Sequence, residues 1–582
     1  MNKFGIDRYE LSTMLFGILL FVVCPFIFPS IGEQQYSYLQ GLFFLSISCI
    51  ALTVKLSNRK CHISIRSLDA ALSICLIAMV IHIMWIRPVD LSIWSWVDIV
   101  GLSVLYVYVR SLSQSEIQLL MCCAVLGGIF QCLYADIQLI GLCPSHNKDF
   151  PMTGSFLNPA PLAGYLATLT SIMYVTALVN GHSKIKRIAI FGTALLFSCF
   201  VICLKSRAAL FALIATIALM YNAHRKQNRL VKYIVTAVLL IAFLFVLYRI
   251  REVSANGRLF IWENTIEMIK DHPFTGVGMT RFKVEFPFYQ AQYHQLHIGE
   301  STKLYDGNTF LVFNEYLRIL AEIGCIVSIL LLLPLGIIWK NKNASTECSI
   351  AFYGIICLMN FGIFSYPLSI LSIKSLLILF IAIIGKRSKQ LLKWDNINIK
   401  KYSLLPISSL IVVCSIFASY IVYDWDSSKQ QNHYSLRQNT DTSKYAFLFR
   451  DNIQFIRHQY HTALNDGDSL QALAILNDAI KRVPVYDFYR QRADLYYELG
   501  EHIEAEKEYQ FLIHLAPSQL GPALRLAMIY KETGYINKAM KLISPYQAID
   551  PKEVDLNTRA ILYEMKLLYH ELECRMRHHP AI

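Results

Sequence analysis

The chain has 582 residues, of which 55% are hydrophobic and 16% are charged, and its mean hydropathy is +0.41. Soluble domains carry about 25% charged residues, so this composition excludes a disordered chain, a collagen-like fibre and a small disulfide scaffold, and it indicates a polytopic membrane protein. A net charge of +13 in such a protein is typical of basic cytoplasmic loops and is weak evidence for nucleic-acid binding.

Apolar runs recur along the first 424 residues, and a bilayer-spanning helix needs about 20 such residues. They predict about thirteen transmembrane helices. The predicted spans are Leu11–Phe28, Tyr38–Leu56, Leu68–Ile86, Ile93–Val109, Ile117–Ile140, Pro161–Leu178, Ile188–Leu204, Ala208–Tyr221, Tyr233–Tyr248, Phe310–Trp339, Ile350–Phe364, Leu368–Ile384 and Leu404–Tyr423. Lysine and arginine concentrate in alternate loops, which places the N-terminus in the cytoplasm. A large loop near residues 249–309 and the C-terminal tail then lie on the outer side.

Five positions of the tail recur after 34 residues. The recurring pairs are Ala493 and Ala527, Tyr496 and Tyr530, Gly500 and Gly534, Ala505 and Ala539, and Pro517 and Pro551. This pattern resembles the tetratricopeptide repeat, a helix–turn–helix unit, from about Asp466 to Asp550, with a capping helix at Leu556–Met576. Such solenoids bind peptides or partner proteins. The tail is therefore predicted to be a docking or assembly platform.

Together these patterns predict an all-α fold: a polytopic helical membrane bundle with a C-terminal periplasmic α-solenoid. The predicted domains are a membrane domain at residues 1–424, which includes the large periplasmic loop near 249–309, and a tetratricopeptide-repeat domain at residues 425–582.

Polar side chains at membrane depth are energetically costly and therefore mark functional candidates. Four clusters lie on the outer side of the predicted bundle. The first is Thr153–Pro159, a turn that includes Asn158, for which a plain loop is the alternative. The second is Lys205-Ser206-Arg207, which places Arg207 at the tip of a tight hairpin. The alternative for Arg207 is an arginine that reaches to the lipid headgroups.

The third cluster contains Arg258 and Trp262 and continues to His272–Gly278. Apolar positions after Arg258 predict a short amphipathic helix that begins near this residue. A helix N-terminus and a guanidinium together bind anions, although a helix that lies flat on the membrane is the alternative.

The fourth cluster lies between Asn308 and Gly324. Its polar residues Asn314, Glu315, Arg318 and Glu322 fall near one side of a helix. The alternative is a simple i,i+3 pair of Glu315 with Arg318.

In chain order, these clusters resemble the superfamily of bacterial O-antigen ligases, O-antigen polymerases and pilin-type O-oligosaccharyltransferases. The matching pieces are Gly154–Pro159, Lys205-Ser206-Arg207, Gly257-Arg258 with Trp262, His272–Gly278, Asn314–Leu317 and Glu322–Gly324. A C-terminal tetratricopeptide tail also occurs in this family.

The resemblance implies a multi-pass enzyme of the bacterial inner membrane that transfers a glycan from undecaprenyl diphosphate on the periplasmic face. The acceptor is a hydroxyl of lipid A–core, of another glycan or of a protein. The repeats of the tail suit a partner protein or a protein acceptor equally well. The reaction is inverting and uses neither metal nor cofactor, so arginines must stabilise the diphosphate leaving group. By motif position these are Arg207 and Arg258. The implied substrate-binding residues are Asn158, Lys205, Trp262, Asn314, Arg318 and Glu322.

The chain departs from the family at one position. Ligases of the family carry histidine immediately before the asparagine of the fourth cluster, where this chain has Phe313. A general base for the acceptor hydroxyl would have to come from His294, His297 or Glu315. The departure is compatible with a different base, a different acceptor or reduced activity.

Two hypotheses from other classes remain open. A transporter of lipid-linked glycan would place charged residues across the bilayer midplane and contain an inverted repeat. A non-catalytic scaffold would retain its function without Arg258. Within the enzyme class, ligase, polymerase and protein glycosylation remain open.

Overall fold

The computed structural model describes residues 7–27, 38–57, 61–178, 183–224, 252–297, 306–397, 405–432, 443–549 and 555–578, with a few residues between 225 and 251. Helices dominate these residues, which confirms the all-α prediction. The chain divides into two compact units. The first comprises Met1–Ala255, Pro273–Gly278 and Val312–Thr440, and the second comprises Asn256–His272, Met279–Leu311 and Asp441–Ile582.

The first unit begins with the helices α1 (Arg8–Ile18), α2 (Tyr38–Ser57), α3 (Ser67–Ile81), α4 (Ile93–Ser111), α5 (Gln114–Leu139), α6 (Pro159–Leu178), α7 (Lys184–Cys203) and α8 (Arg207–His224), and it includes the start of α9 (Glu252–Asp271). The chain then passes through the second unit, where it forms α10 (Phe282–Leu296). It returns to the first unit with α11 (Glu315–Leu330), α12 (Leu332–Lys340), α13 (Thr346–Gly362), α14 (Leu371–Gly385) and α15 (Leu405–Asn432). Turns of π-helix extend α1 over Leu19–Val23 and α3 over His82–Ile86.

Among the described residues, eight helices are long and apolar enough to cross a membrane. The pair α11 and α12, bent by 52°, makes a ninth if it forms one span, and α8, α13 and α14 are shorter apolar helices. Eleven of the predicted spans each coincide with one of these helices, and Phe310–Trp339 coincides with the bent pair α11 and α12. Tyr233–Tyr248 falls mostly outside the described residues. The protein is therefore a multi-pass helical membrane protein, while the number of spans stays a prediction.

Helix α6 lies at the centre of the first unit, with most of its residues buried against α7, α8 and α13. It has no charged residue, and its buried Thr and Ser hydroxyls bond to carbonyls of its own preceding turn, while the Tyr165 hydroxyl donates to the carbonyl of Ala124 on α5 at 3.3 Å. The Thr168 and Thr170 hydroxyls donate to the carbonyls of Gly164 and Leu166, each at 2.8 Å. The buried threonine hydroxyls are thus satisfied within the helix, and the helix can pack on several sides.

The first unit also contains a small two-stranded sheet, which was not predicted from the sequence. Strand β1 (Cys61–Arg66) pairs antiparallel with β2 (Gln390–Ile397). Alternation of isoleucine with polar residues at 62–65 was the available signal.

The second unit contains most of α9, all of α10, and the tail helices α16 (Ser443–Phe449), α17 (Ile453–Asn465), α18 (Ser469–Ile480), α19 (Tyr486–Glu498), α20 (His502–Leu515), α21 (Gly521–Glu532), α22 (Ile536–Ile543) and α23 (Leu556–His578). Most of the predicted large loop therefore clusters with the tail, although the sequence-based boundary assigned it to the membrane domain.

Successive tail helices form pairs in which the recurring residues occupy equivalent places. Gly467, Gly500 and Gly534 each follow the first helix of a pair with φ between 77° and 81°. Ala505 and Ala539 are fully buried in the second helix. A glycine that adopts positive φ without strain ends one helix, and a small residue lets the partner helix approach. The assignment of these pairs to the tetratricopeptide family stays a prediction.

Candidate functional site

Two glycine-containing motifs of the first unit meet through their backbones. Gly324 has φ 67° and ψ 179°, which breaks α11. The segment Pro273–Gly278 packs against α11 at this break. The amides of Val277 and Cys325 donate to the carbonyls of Ala321 and Pro273 at 2.8 and 2.9 Å. We call this contact the glycine junction; it consists of residues 273–278 and 321–326.

Only glycine fits at the two closest points of the glycine junction. A Cβ on Gly324 would lie 2.2 Å from the carbonyl oxygen of Phe274, and one on Gly276 would lie 2.5 Å from the carbonyl of Glu322. Both glycines also have positive φ. The sequence analysis had found both motifs separately, and the structure shows that they form one feature.

His82 and Arg87 hold the glycine junction from α3 and were missed by the sequence analysis. His82 is fully buried, and its Nε2 lies 2.6 Å from the carbonyl oxygen of Thr275. The Nε of Arg87 donates to the Thr275 hydroxyl at 3.2 Å. A carbonyl only accepts, so Nε2 of His82 carries the proton. A histidine and an arginine near the end of an apolar span were the available signal.

The predicted fourth cluster is brought together on α11. The Arg318 guanidinium donates to Glu315 Oε2 from Nε at 2.8 Å and from Nη2 at 2.5 Å, and its Nη1 lies 3.6 Å from Glu322 Oε2. Glu315 Oε1 accepts the amide of Leu368 at 2.9 Å. The Glu315 side chain is only 6% exposed. This geometry joins α11 to the segment before α14 and argues against Glu315 as the general base.

Asn314 and Phe313 form the turn that begins α11. The side-chain oxygen of Asn314 accepts the amides of Tyr316 and Leu317 at 3.0 and 3.1 Å, as a helix N-cap does. Phe313 has φ 56°, and its ring packs edge-on against Tyr366 with centroids 5.5 Å apart. A bulky residue with positive φ is a real backbone outlier.

Two buried glutamines of α5 shape the turn that contains Asn158. The side-chain oxygen of Gln138 accepts the amides of Thr153 and Gly154, both at 2.9 Å. Gln131 accepts the amide of Ser155 at 3.0 Å and donates to its hydroxyl at 2.7 Å. The sequence analysis missed both glutamines. Two amides seven residues apart in an apolar span lie on one helix face, which was the available signal.

A cleft in the first unit lies beside this turn. It is lined by the residues Pro25, Ile27, Gln40, Ser155, Phe156, Leu157, Asn158, Pro161, Tyr366, Ser369, Ile370, Leu371 and Ser372. Hydroxyls and side-chain amides thus share the cleft with apolar groups. Asn158 itself accepts the amide of Ala160 at 3.0 Å, which starts α6.

Lys205-Ser206-Arg207 forms the turn between α7 and α8. Lys205 is exposed with φ 52°, and Ser206 caps α8 by accepting the amide of Ala209 at 3.4 Å. Arg207 is the first residue of α8 and is half-buried. Its Nη2 donates to the Ser254 hydroxyl at 3.2 Å.

The second unit holds Arg258 and Trp262 on α9. The prediction that this helix begins near Arg258 was wrong, because α9 begins at Glu252. Glu252 lies in the first turn, where its charge suits the positive end of the helix dipole. Arg258 therefore lies in the second turn, and the anion-binding argument from a helix N-terminus does not apply to it. Both side chains are half-buried.

His294 and His297 lie on and just after α10 in the second unit. The His294 ring is 4% exposed, stacks on Phe260, and has its Nδ1 2.9 Å from the carbonyl oxygen of His514. This burial argues against His294 as a base for a substrate hydroxyl. His297 is half-buried, with Nδ1 2.9 Å from the Tyr293 carbonyl and its ring stacked on Tyr293. Burial and the neighbouring His294 lower the pKa of His514.

Within the parts of the chain that the structure describes, no group of three or more His, Cys, Asp and Glu side chains is arranged to hold a metal ion. The cationic candidates are arginines and lysines. In the first unit these are Lys205, Arg207 and the carboxylate-bound Arg318, and in the second unit the candidate is Arg258.

The fold and these motifs define the class of the protein: it is a multi-pass helical membrane protein with polar motifs at its helix ends. Residues 192–332 match the family model described as O-antigen ligase, which confirms the resemblance to the O-antigen ligase superfamily. The matched segment contains Lys205-Ser206-Arg207, Arg258, Trp262 and the glycine junction. The family supports a membrane glycosyltransferase of the O-antigen ligase or polymerase type. None of the curated proteins matches the chain.

Proposed function

We propose that the protein transfers a glycan from undecaprenyl diphosphate to an acceptor hydroxyl at the periplasmic face of the bacterial inner membrane. The observation that carries this proposal is the position of Arg207. It begins α8 within the family-matched segment, two residues after the exposed Lys205. Backbone amides at a helix N-terminus, an arginine and a lysine together favour a diphosphate.

The leaving lipid diphosphate gains negative charge as the glycosidic bond breaks, and cations already positioned for this charge lower the barrier. Arg207 and Lys205 supply such cations in the first unit. By motif position, Arg258 on α9 of the second unit is a further candidate for this role. No step is assigned to a metal ion, and inversion at the sugar carbon follows from a single displacement by the acceptor hydroxyl.

The cleft beside Asn158 supports a glycan site. Ser369, Ser372 and Gln40 offer donors and acceptors that suit sugar hydroxyls, and the apolar wall suits the flat face of a sugar ring. Asn158 is then a lining residue, whereas Asn314, Arg318 and Glu322 support the site by fixing α11 and the glycine junction. Trp262 is assigned to glycan contact by motif position.

One observation favours an acceptor other than lipid A–core. Phe313 replaces the histidine that ligases of the family carry, and Glu315 and His294 are both buried by other contacts. His297 is the more accessible base candidate. Polymerisation onto another glycan and transfer to a protein hydroxyl are therefore the second candidate functions.

The test is complementation of a gene deletion in the producing bacterium, followed by staining of surface glycolipid and glycoprotein. We expect Arg207→Ala and Arg258→Ala to lower glycan output about 10²–10³-fold at normal protein level, as loss of a group that stabilises transition-state charge does. Arg249→Ala is the matched control, because its side chain is 65% exposed and pairs only loosely with Glu252 at 3.9 Å.

The glycan acceptor is identified from the glycolipids and glycoproteins that remain after the gene is deleted. Lipid-linked chains that accumulate while lipid A lacks long glycan indicate a ligase, and single repeat units on the core indicate a polymerase. A change confined to proteins indicates an oligosaccharyltransferase. Full activity of both arginine variants would refute the catalytic proposal and favour a scaffold or a transporter.

A further inference from the structure

Two helix ends of the tail lack a cap from their own sequence and obtain one from the large loop. Helix α19 begins at Tyr486, and the preceding Val485 has no side chain that could accept its amides. The side-chain oxygen of Asn308 accepts the Tyr486 amide at 2.9 Å instead. The carboxylate of Asp306 accepts the amide of Ser518 at 2.6 Å, in the turn after α20.

The C-terminal end of α20 is satisfied in the same way. The last carbonyls of a helix have no partner within the helix. The carbonyl of Leu515 accepts from Gln290 Nε2 at 2.9 Å, and that of His514 accepts from Nδ1 of His294 at 2.9 Å. Gln290 is 2% exposed. A buried amide on the loop and an uncapped carbonyl on the tail therefore satisfy each other.

Apolar packing accompanies these hydrogen bonds. The rings of Phe288 on α10 and Phe511 on α20 have centroids 5.3 Å apart. Ala291 of α10 belongs to the same buried cluster as the tail residues Leu512 and Leu515. We call the contributing loop residues the loop face; they are Phe288, Gln290, Ala291, His294, Asp306 and Asn308.

We propose that the surface formed by α19 and α20 of the tail binds the loop face of the same chain, and that the tail thereby completes the fold of the large loop. The tail is then an integral part of the second unit at α19 and α20, rather than a free platform for a separate protein at that surface. A competing partner would have to displace Gln290 and His294, which are both buried. This inference concerns folding and does not depend on the proposed glycosyl transfer.

The experiment is hydrogen–deuterium exchange with mass spectrometry on the full-length protein in detergent. Asn308→Ala removes the cap of α19, and we expect about fivefold faster exchange of the first-turn amides of α19 and of residues 306–311. This factor corresponds to about 1 kcal/mol, the usual loss for an N-cap. Asn308→Ser keeps an accepting oxygen and should restore most of the protection.

Asp468→Ala is the matched control. Asp468 caps α18 locally by accepting the amide of Gln471 at 2.8 Å, and no loop residue takes part. We expect its exchange effect to stay within α18. Gln290→Leu keeps the side-chain size but removes the donor to Leu515, and it should raise exchange in both α10 and α20.

Two results would overturn the proposal. One is wild-type exchange in the loop for both Asn308→Ala and Gln290→Leu. The other is an effect of Asp468→Ala on the loop as large as that of Asn308→Ala, which would show that the loop merely follows global stability. Because exchange is measured without substrate, either result leaves the test of glycosyl transfer unaffected.

Discussion

Replacing Gly324 by alanine tests whether the glycine junction is needed for function. The new Cβ would lie 2.2 Å from the carbonyl oxygen of Phe274 and would force φ +67° on an L-residue. No side-chain rotation relieves this contact, because a Cβ is fixed by its backbone and the other atom belongs to the main chain. Residues 273–278 must therefore move away from α11.

The cost follows from the contacts that are lost. A left-handed conformation costs an L-residue about 1–2 kcal/mol. Separation also breaks four backbone bonds, each worth about 1 kcal/mol. They run from the amides of Cys325 and Ile326 to the carbonyls of Pro273 and Phe274, and from those of Val277 and Gly278 to the carbonyls of Ala321 and Glu322. The total of about 5–6 kcal/mol raises the population of the open junction on the order of 10⁴-fold.

The assay compares glycan output, membrane protein level and hydrogen exchange of residues 273–278. We expect Gly324→Ala to lose glycan output and to raise exchange locally. Gly336→Ala is the matched control, because a Cβ at this position would meet no atom within 4 Å and alanine favours the surrounding helix α12. Glycan output and exchange equal to wild type in Gly324→Ala would refute the reasoning.

Three further predictions concern groups that the sequence analysis did not use. His82→Leu should lower glycan output because Thr275 loses its donor, whereas His82→Gln keeps an N–H donor and should retain more output in the same staining assay. Gln138→Leu leaves two buried amides of the Asn158 turn without an acceptor and the Gly154 carbonyl without its donor. We expect the free energy of unfolding of the protein in detergent to fall by about 1–3 kcal/mol, and wild-type stability of this variant would contradict the role of Gln138. The pKa of His514 is lowered in the fold, so the unfolded chain binds more protons, and the stability of the second unit should fall as pH drops below about 6.5. His514→Gln should flatten that pH dependence of the melting temperature, and an unchanged slope would exclude His514 as its source.

Much of the fold was predictable because apolar runs and repeat spacing are local signals. The spans Tyr38–Leu56 and Pro161–Leu178 agree closely with α2 and α6, since a helix in lipid is defined by hydropathy along the chain. Hydropathy does not indicate the secondary structure of a charged loop segment, so the strands β1 and β2 were not predicted. It also did not show that most of the large loop clusters with the tail, because caps such as Asn308 on α19 act over a long sequence separation.

The candidate site was predictable as a set of motifs and not as a geometry. The cluster of Glu315, Arg318 and Glu322 follows from helical spacing, which is local. The pairing of Gly276 with Gly324 depends on which chain segments meet, and no spacing rule contains that information. The start of α9 was misplaced because the prediction followed the apolar positions after Arg258, whereas the helix is already formed at Glu252.

Backbone strain gives an independent argument for where function lies. Among the described residues, the non-glycine residues with positive φ are Lys205, Thr280 and Phe313. Such conformations cost about 1–3 kcal/mol each and persist only where surrounding contacts impose them. Lys205 precedes Arg207, Thr280 follows the glycine junction and Phe313 precedes Asn314, so each lies in or beside a motif of the matched family segment. Stability alone would favour glycine or asparagine at these positions, so we expect Lys205→Asn and Phe313→Gly to raise thermal stability, and a loss of glycan output in either variant would support a functional role for the strained motif.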